Sequence, residues 1–238
     1  MNNSLPIIIA NLKTNKTWDE ISDWLDLVAQ PAIKFKGTII FCPSDPFLTS
    51  CYQKIAEESF NIKLGSQNIS KFPSGAYTGE VAAGQISDII KYSIVGHSER
   101  RKYFGESDQD VIDKVKMLIS WQITPILCIS DISQLDAYIS KGKKEIVENS
   151  QKIIFVYEPP SAISGGSDYK PDSPQDANEN AATIKEKIGS SPITIYGGSI
   201  NPQNVASFLT QTDISGGLIG QASIDPDTFI QVLQNAAK

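Results

Sequence analysis

The sequence predicts an α/β protein, a closed (β/α)8 barrel of eight parallel strands ringed by helices, and three observations support this. Eight short runs rich in Ile and Val recur along the 238 residues, continuously apolar rather than alternating, as strands covered on both faces require. Segments with helix caps and apolar stripes separate the runs. No low-complexity linker interrupts the series, so residues 1–238 read as one domain, an ordinary length for a barrel fold of about 250 residues. The competing architecture is an open doubly wound sheet, which expects a glycine-rich nucleotide turn after the first strand. Asn11-Leu12-Lys13-Thr14-Asn15 stands there instead.

In chain order, the first run is Pro6–Ala10, and Thr17-x-x-Glu20 then forms a capping box with Trp18, Ile21, Leu25 and Val28 on one helical face. The second run, Thr38–Phe41, leads to Asp45-Pro46, a capping side chain before a proline at the first helical position. Ile62–Leu64 and Tyr92–Val95 are the third and fourth runs, and Ser107-x-x-Asp110 caps a helix carrying Val111, Val115 and Leu118. After the fifth run, Pro125–Ile129, the pattern weakens over Ser130–Ser150, where Gly142 predicts a short or broken helix. Ile153–Tyr157 is the sixth run, and Ser173-Pro174 opens a helix whose stripe is Ala177, Ala181, Ile184 and Ile188. Ile193–Tyr196 with Asn201-Pro202, and Gly217–Ile219 with Asp225-Pro226, complete the eight units.

Composition narrows the function. A net charge of −6 and a pI near 4.9 argue against a nucleic-acid partner or an acidic membrane surface, although a local positive site for a small anion is compatible with both. Cys42, Cys51 and Cys128 lack Cys-x-x-Cys spacing, and one histidine cannot build a zinc site with them, so they read as reduced thiols of a cytoplasmic protein. The N-terminal apolar run stops at Ala10, too short for a secretion signal or a membrane span.

Polar residues at the C-terminal ends of barrel strands converge on one mouth. Asn11 and Lys13 follow the first strand, His97 the fourth, Glu158 the sixth, Gly197-Gly198-Ser199 the seventh and Gly220-Gln221 the eighth. Each has a plainer reading: a solvated lysine, a hydrogen-bonded structural histidine, a capping glutamate, or simple turns at Gly197-Gly198 and Gly216-Gly217. Against these stands their coincidence on one face. Glu158, directly after an apolar run and before Pro159-Pro160, sits where desolvation could tune a base, and glycine turns leading into helices leave N–H groups free for a phosphate.

Seven pieces in order carry a resemblance: Asn11-x-Lys13, Gly75-Ala76-Tyr77-Thr78-Gly79-Glu80, Val95-Gly96-His97-Ser98-Glu99-Arg100-Arg101, Pro125-Ile126-Leu127-Cys128-Ile129, Tyr157-Glu158-Pro159, Tyr196-Gly197-Gly198-Ser199 and Gly220 with Ala222-Ser223. Together they resemble the triosephosphate isomerase family, a TIM barrel, through most of the chain. The resemblance implies reversible interconversion of dihydroxyacetone phosphate and D-glyceraldehyde 3-phosphate through an enediolate, in glycolysis and gluconeogenesis, with no metal and no organic cofactor. It implies Glu158 as the base, His97 as a neutral electrophile, Lys13 as the positive charge facing enediolate and phosphate, Asn11 as a positioning group and Glu99 as the support of Lys13. It also implies phosphate held by N–H groups of Ser164, Ser199, Gly220 and Gln221, a lid from Pro159 to Gly166, and a homodimer in which Tyr77 and Thr78 enter a pocket of the other subunit.

The chain departs from the family in the lid, where Pro160-Ser161 replaces Val-Trp and Ser164-Gly165-Gly166-Ser167 replaces Gly-Thr-Gly-Lys, with Asp168–Ser173 about three residues longer. A stiffer first hinge and a looser tip predict altered closure. Leu12, Thr14 and Gln221 are smaller departures. Two alternatives stay open: a barrel acting on another sugar phosphate, for instance by aldolase chemistry through a lysine Schiff base, and a binding protein that has lost turnover.

Overall fold

The computed structural model describes residues 3–162, 172–189 and 191–237. Eight parallel strands close in sequence order: β1 (Ile7–Asn11), β2 (Thr38–Cys42), β3 (Lys63–Ser66), β4 (Tyr92–Val95), β5 (Thr124–Ile129), β6 (Ile154–Tyr157), β7 (Ile193–Tyr196) and β8 (Gly216–Ile219). Every run expected to be a strand is one. Around them lie α1 (Trp18–Lys34), α2 (Leu48–Glu57), α3 (Ala83–Ile86), α4 (Ser98–Phe104), α5 (Asp108–Ser120), α6 (Ile132–Lys141), α7 (Pro174–Ile188), α8 (Val205–Leu209) and α9 (Pro226–Ala236).

The continuous apolar runs are explained by two cores that use alternate residues of the same strands. Ile7, Ile9, Ile40, Ile94, Ile126, Ile154 and Leu218 fill the barrel interior. Ile8, Ala10, Ile39, Phe41, Val95, Leu127 and Phe155 face the helices. In α1, Ile21, Leu25 and Val28 are buried as expected, and Trp24 joins them, stacked on Phe41 at 4.7 Å and against Phe229 at 5.2 Å. Its indole N–H donates to the Ser223 carbonyl at 2.9 Å, which ties α1 to the turn after β8. Trp18 lies at the edge of that face, only partly buried.

The caps hold with two corrections. Ser107 and Asp110 bond reciprocally, and Ser173 and Asp225 each accept from the third residue of their helices. Asp45, in contrast, lies inside a 3-10 turn (Asp45–Phe47) whose cap position is Ser44, and its Oδ1 is buried without a partner. Asn201 caps a turn ahead of α8, accepting from the N–H groups of Gln203 and Asn204, and Asn204 occupies the cap of the helix itself. The weak unit is broken as expected: α6 ends at Gly142 and a π-helical turn (Lys143–Val147) follows.

Gly216-Gly217 is strand, not a turn. A Cβ on Gly216 would overlap the Ile7 backbone, because β8 and β1 close the barrel there. Gly216→Ala is expected to destabilise the fold by about 3 kcal/mol or more, read as a lowered denaturant midpoint; a midpoint equal to that of the parent would show that the seam yields.

Candidate active site

The polar residues singled out at the strand ends do meet at one mouth. Asn11, Lys13, His97, Gly197, Gly198, Ser199, Gly220 and Gln221 line one shallow pocket. Lys13 takes a left-handed backbone conformation (φ 52°), unfavourable for a residue with a Cβ by about 1 kcal/mol. Three hydrogen bonds hold it there. Its N–H donates to Asn11 Oδ1 at 3.1 Å, and its carbonyl accepts from Ser44 Oγ at 2.8 Å and Gln67 Nε2 at 2.7 Å. Its ammonium is paired with Glu99. Ser44 and Gln67 escaped notice in the sequence because they act through the backbone of a residue far away in the chain.

His97 follows β4 and occupies the N-cap position of α4. Its Nδ1 accepts the Glu99 N–H at 3.2 Å, which places the ring proton of a neutral imidazole on Nε2. That nitrogen lies 3.5 Å from Glu158 Oε2. Gly96, immediately before it, has φ 73° and could not carry a side chain without crowding the Tyr138 hydroxyl and Val111.

Glu158 is fully buried, at 0% exposure. Its Oε1 accepts the Ser98 N–H at 2.7 Å at the start of α4, where helix amides favour a negative charge. Its Oε2 has no hydrogen-bond partner. The carboxylate also borders the Cys128 thiol, whose pKa is pushed up by burial first and by Glu158 second. The carboxylate is thus held on one oxygen, with the other left without a hydrogen-bond partner.

A buried ionic cluster supports the His97 strand end. Glu106 Oε1 accepts the Gly96 N–H at 3.1 Å, and its Oε2 accepts from Arg100 Nε and Lys114 Nζ, both at 2.6 Å. Burial works to raise the Glu106 carboxyl, but Lys114 and Arg100 outweigh it and hold the group below its ordinary value. Because the folded value is the lower one, this contribution to stability is present above the ordinary carboxylate pKa and is lost as pH falls through the folded value. Glu106→Ala leaves Lys114 buried beside Asn68 alone and is expected to cost about 3 kcal/mol. The loss should shrink on acidification in urea titrations; a loss independent of pH would assign it to packing.

The turn after β7 is tight, since a Cβ on Gly197 would stand 2.5 Å from Val156 Cγ1 and 2.9 Å from Glu158 Cβ. Ser199 donates to the Ala162 carbonyl through its N–H at 2.9 Å and its hydroxyl at 2.5 Å. Gly220 lies under the Lys13 side chain, and Gln221 is exposed beside it. Ser164, expected as a phosphate ligand, lies outside the described residues, as do the lid beyond Ala162 and most of the longer connection after it. Tyr77 and Thr78 project in an exposed loop, with Tyr77 stacked on Phe72 at 4.3 Å.

A parallel barrel whose mouth gathers a buried carboxylate, an imidazole with its proton directed inward and a paired ammonium beside glycine turns defines an enzyme that moves protons on a small anionic substrate. The comparisons make the class particular. A family model described as triosephosphate isomerase matches residues 6–236. A triosephosphate isomerase of Mesomycoplasma hyorhinis is 34% identical over 245 residues, covering 97% of this chain and 98% of the relative. One from Colwellia psychrerythraea is 34% identical over 250 residues (98% and 97%), and one from Dictyoglomus thermophilum is 35% identical over 252 residues (96% and 98%). The chain belongs to the triosephosphate isomerase family and is an aldose–ketose isomerase. No helix among the described residues is long and apolar enough to cross a membrane.

Proposed function

We propose that residues 1–238 form a single catalytic domain that interconverts dihydroxyacetone phosphate and D-glyceraldehyde 3-phosphate, in glycolysis and gluconeogenesis, in the cytoplasm. Glu158 leaves the Ser98 N–H, removes a proton from the carbon beside the carbonyl and returns it to the neighbouring carbon. His97 donates from Nε2 to the carbonyl oxygen as its negative charge develops and carries protons between the two oxygens of the enediolate. The Lys13 ammonium faces enediolate and phosphate, Asn11 holds the Lys13 backbone and positions substrate, and Glu99 orients the ammonium. Ser199, Gly220 and Gln221, with Ser164, hold the phosphate through N–H groups; the Ser199 N–H exchanges the Ala162 carbonyl for a phosphate oxygen. Net chemistry is one proton moved between carbons and one between oxygens, so the scheme calls for no metal and no organic cofactor.

The observation that carries this reading is the approach of His97 Nε2 to Glu158 Oε2 at 3.5 Å, on the side of the ring opposite its backbone anchor. The test is isomerisation of D-glyceraldehyde 3-phosphate by purified protein in a coupled assay. Turnover supports the assignment; a folded protein that binds inorganic phosphate without turnover overturns it in favour of a binding role or another sugar phosphate. The altered lid sequence supports a closure rate unlike that of typical members.

The partner is a second copy of the chain. A cavity of about 410 Å³ opens beside Lys13, Gln67 and Glu99, flanked by Tyr103 and Phe104 at 65% and 71% exposure. Exposed aromatics of that extent favour a covered face, and the loop bearing Tyr77 and Thr78 has the size and stacked tip to fill such a cavity. Thr78→Arg is expected to shift sedimentation to monomer and to lower kcat about tenfold or more by releasing Asn11 and Lys13. A fully active monomer would remove the dimer from the mechanism.

A further inference from the structure

The two donors that hold the Lys13 carbonyl differ in what holds them. A carbonyl oxygen has two lone pairs, and Ser44 Oγ at 2.8 Å and Gln67 Nε2 at 2.7 Å use both. Gln67 is fixed by the barrel itself, since its Nε2 also donates to the Cys42 carbonyl at the end of β2, at 3.0 Å. Ser44 is placed differently. It stands at the cap position of the 3-10 turn Asp45–Phe47, yet its hydroxyl makes no capping bond there. A hydroxyl has one proton to give, and here it goes to Lys13, 31 residues away in the chain. Backbone alone closes the turn, with the Phe47 N–H on the Ser44 carbonyl at 3.0 Å.

The loop that carries Ser44 is unfinished on one side. Ser44, Asp45 and Pro46 form part of the wall of the cavity of about 410 Å³ beside Lys13. Asp45 Oδ1 is buried with no hydrogen-bond partner, and Pro46 is exposed. A buried acceptor left unsatisfied in a cavity wall makes the position of this loop depend on what fills the cavity.

We infer that Ser44 is a positioning residue for Lys13 and the route by which a second copy of the chain, seated in that cavity, acts on the catalytic lysine. The inference rests on the readings of Lys13 as the substrate-facing cation and of a second copy as the occupant of the cavity. Lys13 has φ 52°, a conformation that persists only where its surroundings impose it. A partner loop packed against Ser44, Asp45 and Pro46 fixes the hydroxyl on the Lys13 carbonyl, and an empty cavity lets the loop and the bond relax. The Gln67 bond survives in either state. Lys13 is then loosened instead of released, and its ammonium is placed less accurately against a bound phosphate.

The test uses Ser44→Ala, Ser44→Thr, Thr78→Arg and Ser44→Ala combined with Thr78→Arg, all in the full chain. Ser44→Ala should lower kcat/KM for D-glyceraldehyde 3-phosphate about threefold to tenfold, the worth of one hydrogen bond, and weaken inorganic phosphate binding by a similar factor. Its melting temperature should stay close to the parent's, because the hydroxyl caps nothing and Gln67 still satisfies the Lys13 carbonyl. Ser44→Thr keeps the hydroxyl and should restore both rate and phosphate binding. Thr78→Arg should weaken phosphate binding as well, and adding Ser44→Ala to it should cost nothing further, since the monomer has already lost the bond. Losses that multiply in the combination overturn the route. Parental kcat/KM and phosphate binding in Ser44→Ala, or no rescue by threonine, overturn the positioning role. A fully active Thr78→Arg monomer overturns the route together with the dimer reading, whereas Ser44→Ala still decides the hold on Lys13. In a parent without turnover the isomerase reading fails, and the phosphate titrations still decide the inference.

Discussion

Glu158→Gln is expected to lower kcat by about 10²–10⁴-fold, the range for loss of a positioned general base, while the melting temperature holds or rises. The stability half of this expectation comes from the structure. The wild-type carboxylate is fully buried, with Oε1 on the Ser98 N–H at 2.7 Å and Oε2 unpartnered. An isosteric amide keeps the Ser98 bond through its carbonyl oxygen, and its NH2 can donate to the neighbouring Cys128 sulfur, so that a neutral group replaces a charge lodged in a dry corner. Function and stability should therefore part at this residue. Steady-state kinetics with thermal unfolding of the same preparations measures both. A variant retaining more than about a tenth of parental kcat would mean another group moves the carbon-bound proton, and a large fall in melting temperature would mean the buried charge is a structural contact instead of a poised base.

His97→Gln is expected to lower kcat by about 10²–10³-fold with little change in KM, because hydrogen-bond donation from Nε2 strengthens as the carbonyl oxygen gains charge and contributes little to ground-state binding. The backbone anchor makes this specific. With Nδ1 accepting the Glu99 N–H at 3.2 Å, the donor is fixed on the Nε2 side, 3.5 Å from Glu158. Nitrogen NMR should find Nδ1 bare and Nε2 protonated at neutral pH. Resonances showing the reverse tautomer would sink the electrophile role, since the ring would then present a lone pair to the developing oxyanion. The same change removes a helix cap from α4, for which a loss of about 1 kcal/mol in stability is expected, too small to account for the loss of rate.

Much of this architecture could be read from the chain. The eight strands lie where the continuous apolar runs lie, because a strand covered by helices outside and by side chains inside needs apolar residues at every position, and Ile7 to Ala10 divides alternately between the two cores. Asn11, Lys13, His97 and Glu158 were visible as polar residues where such runs stop. Local pattern was less informative where two options share the same residues. Asp45-Pro46 has the composition of a cap, yet Ser44, whose hydroxyl donates to the Lys13 carbonyl, stands at the cap position and Asp45 lies in the turn. Gly216-Gly217 has the composition of a turn, yet both are strand, and the barrel seam needs the missing side chain of Gly216 against Ile7 and that of Gly217 against Ile200.

Partnerships were hidden for a simpler reason. Lys13 meets Glu99 across 86 residues, Trp24 meets the Ser223 carbonyl across 199, and Glu158 rests on the Ser98 N–H across 60. Propensity, capping and periodicity act over one or two helical turns and set which elements form and which polar side chains stand at their ends. The anchoring of the Lys13 carbonyl by Ser44 and Gln67 and the seating of Glu158 on the Ser98 N–H arise only when closure of the barrel brings distant donors and acceptors within 3 Å or so of one another, where hydrogen bonding acts, whereas the tautomer of His97 is set locally by the Glu99 N–H.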